Sequence, residues 1–186
     1  MNGENGQHAI YGGGPSYIVH PSDVAPALVA FDAVFQVTGP NGDREVSGED
    51  FFVLPITNPE RENSLAENEL LTGVRIPNVS SNTVSNYHKI MDREAWTHAE
   101  VGVAVVIQRD GNEVQNAKIV LAGVAPIPWR IQAVEDFLAG EQISEAVARE
   151  AGEIGIQDAQ PLSNNAHKLP MVSSAIERAI LNLAAG

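Results

Sequence analysis

The chain has 186 residues, no cysteine, and a formal net charge of −13 from 24 acidic and 11 basic side chains. These counts exclude disulfides, thiolate metal sites and thiol nucleophiles. They also disfavour nucleic acid and anionic membrane surfaces as partners, because both require a basic face.

The first part of the chain, residues 1–80, is predicted to combine one helix with short strands. A glycine-rich turn, GGGP at 12–15, leads to a helix at "PSD", where Ser22 is the predicted N-cap and Asp23 lies at the positive end of the helix dipole. Helical spacing predicts that three residues face the core: Val24, Leu28 and Phe31. The strand "AVFQV", an Asn-Gly hairpin turn, a short apolar element "EDFFVLP" and the strand in "ELLTGVRIP" follow.

A Pro/Asn/Ser-rich stretch at 75–86 separates this part from residues 81–186. The segments "NYHKIMDR", "EVGVAVVIQ" and "NAKIVLAGV" predict a three-stranded antiparallel sheet, with the doubly apolar middle segment as its central strand. Three helices follow: "RIQAVEDFLAG", "SEAVAREAGEIG" from Ser144, and "PMVSSAIERAILNLAA". The last helix has a predicted buried face of Val172, Ala175, Ile176, Ala179, Ile180 and Leu183. The fold class is therefore predicted to be α+β.

The glycine turn has two interpretations, a phosphate cradle or a flexible turn. No Lys-Ser/Thr pair follows the glycines, and Pro15 removes an N–H donor where a cradle needs one, so the turn is favoured. The five histidines lack metal-binding spacing, which makes a metal site formed by this chain alone an unfavoured interpretation.

The remaining candidate residues each have an ordinary structural explanation. Asp23 could be only a helix charge, Leu70 and Leu71 only core residues, and Lys89 and Arg93 only a solvated strand face. The acidic excess likewise fits a solubilising surface, with adaptation to high salt as the less favoured alternative.

The order of several segments changes this balance. The segments "HPSDVAPALVAFDA", "NELLTGVRIP", "YHKIMDREAWTHAEVGVAVV", "IVLAGVAPIPWR" and "PLSNNAHK" follow one another as they do in a known family. The chain resembles the FAD-binding (medium) subunit of molybdenum hydroxylases, the xanthine dehydrogenase group, and most of all the aldehyde oxidoreductase branch.

The resemblance covers the C-terminal half of such a subunit. It implies that residues 1–80 are the C-terminal part of an α/β FAD-binding domain. Residues 81–186 would form a domain like the C-terminal domain of CO dehydrogenase flavoprotein, a three-stranded antiparallel sheet with a helical bundle. The two glycine-rich loops that hold the FAD pyrophosphate lie upstream in the family, so FAD binding is expected to be weak or absent and the chain alone inactive.

The resemblance also implies a set of flavin-binding residues. Asp23 matches a carboxylate near the ribityl chain, with Ser22 beside it. Leu70 and Leu71 match apolar residues that flank the isoalloxazine ring, and Lys89 matches a lysine that favours the anionic reduced flavin. Arg93 is a weaker candidate, and three other positions are assigned structural roles: Trp96, His98 and Trp129.

The implied function is electron transfer. A [2Fe-2S] small subunit would deliver electrons from a molybdopterin large subunit, which hydroxylates an aldehyde, purine or related substrate, and the flavin would pass them to an acceptor. Ser16 stands where one branch has an iron–sulfur cysteine, and serine is a poor cluster ligand, so no cluster is expected on this chain. Self-association through apolar surface and a cytoplasmic location are also expected, with a periplasmic complex as the alternative to the latter. The rival hypothesis is a truncated assembly or interaction module that binds no flavin.

Overall fold

A computed structural model describes residues 3–184, which form two antiparallel sheets and five helices. The first sheet has the order β2-β1-β3, from β1 (Val34–Gly39), β2 (Gly42–Ser47) and β3 (Leu70–Arg75). The second has the order β4-β5-β6-β7, from β4 (Thr83–Ile90), β5 (Val101–Asp110), β6 (Glu113–Ala122) and β7 (Trp129–Arg130). The helices are α1 (Val24–Ala30), α2 (Gly48–Phe51), α3 (Gln132–Leu138), α4 (Glu145–Gly155) and α5 (Lys168–Ala184). The α+β class predicted from the sequence is confirmed.

The second sheet contains the three predicted strands and one more. β5 is central, as its apolar character on both faces predicts, and it pairs with β4 and β6. The additional strand β7 pairs Leu121 with Trp129 and Val120 with Arg130. Sequence reasoning assigned Arg130 to the following helix, which instead begins at Gln132. Two residues are too few to show the alternation that marks a strand.

Helix α5 is the longest helix and carries the main core. Its six predicted core-facing residues are all buried, together with residues of β5, β6, α3 and α4. The helix begins at Lys168, so Pro170 lies in its first turn. Proline is tolerated there because its missing N–H removes no helical hydrogen bond. None of the helices within residues 3–184 has the length and apolar character needed to span a bilayer.

Helix α1 packs differently from the prediction. Val24, which was expected to face the core, is 65% exposed, and the buried residues are instead Ala25, Pro26, Val29 and Ala30. Val29 and Ala30 contact Ala104 and Val120 of the second sheet. The predicted stripe was wrong because close approach of a helix to a sheet favours small side chains, which the spacing of large apolar residues does not reveal.

Residues 3–20 pack against the second sheet and its helices, although they come first in the chain. Ile10 and Tyr11 are buried in the same core cluster as α5. The amide of Ile10 donates to the carbonyl of Val124 at 2.8 Å, and the Tyr11 hydroxyl donates to the carbonyl of Gly155 at 2.8 Å. The domain boundary predicted at residue 80 stays a prediction.

Candidate functional site

Three side chains meet where α1 begins. The hydroxyl of Tyr87 donates to Asp23 Oδ1 at 2.9 Å, and Lys89 Nζ donates to Asp23 Oδ2 at 2.7 Å. Lys89 also donates to the carbonyl oxygen of Thr97 at 3.0 Å. Each oxygen of the Asp23 carboxylate therefore has one donor from strand β4. These residues are called the Asp23 cluster below.

The geometry of β4 explains why these donors point the same way. Tyr87 and Lys89 are two residues apart in a strand, so their side chains leave the same face of the sheet. Their partners across the ladder are Ala104 and Gly102, which are small enough to let α1 lie close above them. The cluster is formed by the start of a helix placed over the edge of a sheet.

The start of α1 is capped by Ser22. Its hydroxyl accepts a hydrogen bond from the backbone N–H of Ala25 at 3.0 Å, although the N-cap position is Asp23, one residue later than predicted. The Asp23 side chain makes no capping bond, which leaves its carboxylate free to turn toward β4.

The side chains of the cluster differ in burial, and burial affects how they ionise. The Lys89 side chain is 19% exposed, whereas that of Asp23 is 43% exposed. Burial, and next the hydrogen bond to Asp23 and its charge, raise the pKa of Tyr87. The phenol therefore stays protonated around neutral pH and acts as a hydrogen-bond donor. A carboxylate has about four acceptor positions, so Asp23 keeps capacity for further donors on its exposed side.

Two more ion pairs join the first part of the chain to the second sheet. Asp32, at the other end of α1, accepts from Lys118 Nζ at 2.9 Å. Glu49 of α2 pairs with Arg130, which also binds the buried carboxylate of Glu135. In all three pairs the acid lies in residues 23–49 and the cation in residues 89–130.

Leu70 and Leu71 lie on the other sheet, in its edge strand β3. They pair with Thr38 and Val37 and are 71% and 42% exposed. The alternative explanation of them as core residues is therefore wrong, and they offer an exposed apolar surface. The structure brings Ser22, Asp23 and Lys89 together and places the two leucines on a separate strand.

The glycine turn is occupied by aromatic side chains. A Cβ on Gly12 would lie 2.7 Å from the Trp129 ring, and one on Gly13 would collide with the ring of Tyr17. The amide of Gly14 already donates to the carbonyl of Ser16 at 2.8 Å. Close packing of rings therefore accounts for Gly12 and Gly13.

The connection between β4 and β5 holds the weaker candidates. Arg93 is exposed and donates to the carbonyl of Trp96, whose side chain is 94% exposed. Trp96 has a φ of 58°, unusual for a residue with a side chain. Within residues 3–184, no three His, Asp or Glu side chains gather closely enough to hold a metal ion.

Tyr87 is the member of the cluster that sequence reasoning missed. The motif "YHK" gave the required signal, since a polar side chain two residues from Lys89 in a strand shares its face. Its partner Asp23 is 64 residues away in the chain, and only the fold shows the contact.

Comparisons with known proteins agree with this architecture. The family described as "CO dehydrogenase flavoprotein C-terminal domain" matches residues 86–182, and "FAD binding domain in molybdopterin dehydrogenase" matches residues 9–79. The aldehyde oxidoreductase FAD-binding subunit PaoB of Escherichia coli (strain K12) is 33% identical over 91% of this chain and 50% of its own length. The carbon monoxide dehydrogenase medium chain of Hydrogenophaga pseudoflava is 31% identical over 87% of this chain and 56% of its own length.

Solved structures show the same fold. Carbon monoxide dehydrogenase from Hydrogenophaga pseudoflava, in a form that lacks the Mo-pyranopterin moiety, superposes with a TM-score of 0.74 and 29% identity, over 88% of this chain and 59% of that one. The chain spans about half the length of the curated relatives it matches. With both of its parts matched in this way, the chain belongs to the family of FAD-binding medium-chain subunits of molybdenum hydroxylases.

Proposed function

We propose that this chain is the flavin-carrying, electron-transfer part of a molybdenum hydroxylase-type oxidoreductase. The observation that carries the proposal is the Asp23 cluster, because it joins two residues, Asp23 and Lys89, that the family resemblance assigns independently to the flavin. They lie 66 residues apart in the chain and are joined by a 2.7 Å hydrogen bond.

The residues fit the central and ring portions of FAD. Asp23 is half-exposed and retains acceptor capacity, which suits the hydroxyl groups of a ribityl chain. Ser22 holds the helix start that carries this carboxylate. Leu70 and Leu71 are exposed and apolar, which suits a flat aromatic ring that needs van der Waals cover.

Lys89 would contribute a positive charge beside the ring. An ammonium group near a flavin favours the anionic reduced form and so raises the tendency to accept electrons. When bound, FAD would supply the redox chemistry that links an iron–sulfur donor to the final acceptor. The chain's own residues would hold the ribityl chain, cover the ring and supply the cation.

The proposed partners are a [2Fe-2S] small subunit and a molybdopterin large subunit. The support is that the relatives are named as medium chains or FAD-binding subunits of such enzymes. The net charge of −13 favours partner surfaces that carry basic residues at the contact.

One observation favours the rival, a module that assembles with other chains without binding flavin. In the glycine turn at 12–14, Gly12 and Gly13 pack against Trp129 and Tyr17, so this turn does not replace the phosphate loops that the family carries upstream. Each lost backbone hydrogen bond to a phosphate would weaken FAD binding by about fivefold to tenfold.

Titration of the chain with riboflavin and with FAD, followed by flavin fluorescence, separates the two hypotheses. If the Asp23 cluster binds the ribityl chain and no phosphate site exists in this turn, both ligands should bind weakly and with affinities within about threefold of each other. Asp23→Ala should weaken both by about tenfold, and Asp43→Ala in the exposed hairpin serves as the control. If neither ligand binds, flavin binding by this chain is wrong and the assembly module is favoured.

A further inference from the structure

We propose that Tyr87 is a positioning residue of the flavin site, which acts by fixing the orientation of the Asp23 carboxylate. This inference rests on the proposed function. It adds a residue that the family resemblance did not assign to the flavin.

The first step is that Tyr87 and Lys89 each bind one oxygen of the Asp23 carboxylate. Tyr87 holds Oδ1 at 2.9 Å and Lys89 holds Oδ2 at 2.7 Å. The torsion that rotates an aspartate carboxylate is broad, so a single donor leaves the group free to turn. Two donors from one strand, one on each oxygen, fix its plane.

The second step is that Tyr87 is itself held. Its ring packs against the small cluster that fixes α1, formed by Val29, Ala30, Ala104 and Val120. The group it donates to is a carboxylate, which makes this hydrogen bond stronger than one between neutral groups. Its position is therefore set by packing and by charge together.

The third step is that the sheet leaves space for the phenol oxygen. A Cβ on Gly102 would lie 2.5 Å from the Tyr87 hydroxyl and 3.0 Å from Cβ of Ala122. Glycine at this position, near the start of β5, lets the hydroxyl reach Asp23. An alanine there would push it away.

The consequence concerns the acceptor positions that Asp23 would offer to a bound flavin. With its inner lone pairs used by Tyr87 and Lys89, the half-exposed carboxylate presents its remaining acceptor positions outward in one orientation. A ribityl hydroxyl then finds an ordered acceptor and loses less entropy on binding. Without the Tyr87 hydroxyl, Lys89 alone would hold the carboxylate.

The test measures riboflavin affinity by fluorescence for the wild type, Tyr87→Phe, Asp23→Ala and the double variant, with the folded fraction of each checked by circular dichroism. Tyr87→Phe keeps the ring and removes the hydroxyl, and it should weaken binding about fivefold. In the Asp23→Ala background the same change should have less than about a twofold effect, because its partner is gone. Tyr17→Phe, just after the glycine turn, is the matched control and should bind like the wild type.

Gly102→Ala gives a second route that leaves Tyr87 in place, and it should weaken riboflavin binding at least as much as Tyr87→Phe. Two results would overturn the positioning role and leave the flavin site standing. One is wild-type affinity in Tyr87→Phe or in Gly102→Ala. The other is a loss of affinity from Tyr87→Phe that is equal in the presence and in the absence of Asp23. A wild-type chain that binds no riboflavin would overturn both.

Discussion

Asp23 lies at the start of α1, and its carboxylate binds side chains of another element. Its place after Ser22 suggested a charge at the start of a helix, which it is. Its carboxylate is nevertheless directed to Tyr87 and Lys89 on β4. A side chain that satisfies two donors from another element contributes to tertiary stability more than to its own helix.

Removing this carboxylate should therefore destabilise the fold. Asp23→Ala leaves the part-buried Lys89 ammonium and the Tyr87 hydroxyl without their acceptor, and we expect a loss of about 1–2 kcal/mol in the free energy of unfolding after allowance for solvent exposure. Urea denaturation followed by circular dichroism measures it.

The control is Asp43→Ala, an exposed carboxylate of the β1–β2 hairpin, which should change stability by less than about 0.5 kcal/mol. Equal losses for Asp23→Ala and Asp43→Ala would show that the three-residue contact adds nothing to stability.

At the scale of elements, β3 depends on the segment that precedes it. Arg44 of β2 binds Glu69 through two hydrogen bonds, Nε to Oε1 at 2.8 Å and Nη2 to Oε2 at 2.7 Å. Glu69 also accepts from the amide of Ala66 at 2.8 Å. This carboxylate thus fixes the chain directly before Leu70 and Leu71.

These contacts make part of the stability depend on pH. The hydrogen bond from Arg44, followed by that from Ala66, lowers the pKa of Glu69 from 4.5 to about 2. A lowered pKa in the folded state means that the contribution is present above pH 4.5 and is lost as the pH falls toward 2. Glu69→Gln should lack this component, so the difference in stability between wild type and variant should shrink across that window.

The neighbouring Glu67→Gln is the control for that experiment. Glu67 is 91% exposed and its contact with Arg61 is 3.4 Å, so its difference from wild type should stay nearly constant with pH. Urea midpoints at pH 6, 4 and 3 give both comparisons. A pH-independent difference for Glu69→Gln would contradict the assigned role.

Helix α5 shows which elements could be predicted. Its apolar spacing over 17 residues is regular, and every predicted core position is buried. Helix α1 has seven residues and buries alanine and proline, so its large apolar residues gave the wrong face. Strand β7 has only two residues, too few for any pattern. Prediction succeeded where buried residues recur at a regular spacing, and it failed where a single close contact decides which residues are buried.

The core of α5 gives a direct test. Ile176 is fully buried among α3, α4 and the second sheet, so Ile176→Ala should cost about 2–5 kcal/mol through lost burial and a cavity. Asn182→Ala, at an exposed position of the same helix, should be nearly neutral. Thermal or urea unfolding measures both, and similar values for the two variants would mean that the assigned core face is wrong.

At the scale of the whole molecule, surface chemistry varies sharply between regions. The chain is strongly acidic, yet β3 and the residues after it expose apolar side chains: Leu70, Leu71, Val74, Ile76 and Val79. β3 is also an edge strand of its sheet, so its outer backbone groups are available for pairing. Apolar side chains on an open strand edge favour contact with another polypeptide.

We therefore expect concentration-dependent self-association, measured by light scattering. Leu70→Lys places a charge on the strand edge and should shift the population toward monomer. Ile56→Lys introduces the same charge at a residue that is 73% exposed outside the strands, and it should leave association unchanged. A monodisperse wild-type monomer at high concentration would contradict the expectation.

The Asp23 cluster could be predicted only in part, because its contacts join distant parts of the chain. The family resemblance gave Asp23 and Lys89, and the capping pattern gave Ser22. Tyr87 and the pairs Asp32–Lys118 and Glu49–Arg130 join residues 64 to 86 positions apart. Contacts at such separations leave no periodic signal in the chain.

The anchoring of residues 3–20 has a consequence for biosynthesis. Lys168 Nζ donates to the carbonyl of Gln7 at 2.9 Å, and Asn165 Nδ2 donates to the carbonyl of His8 at 3.0 Å. Gln7 thus has to wait for Lys168, which follows 161 residues later. At ordinary translation rates of roughly 5–20 residues per second this takes about 8–30 s. During that interval Ile10 and Tyr11 lack the α5 part of their core, so this segment of the nascent chain would be open to chaperone binding.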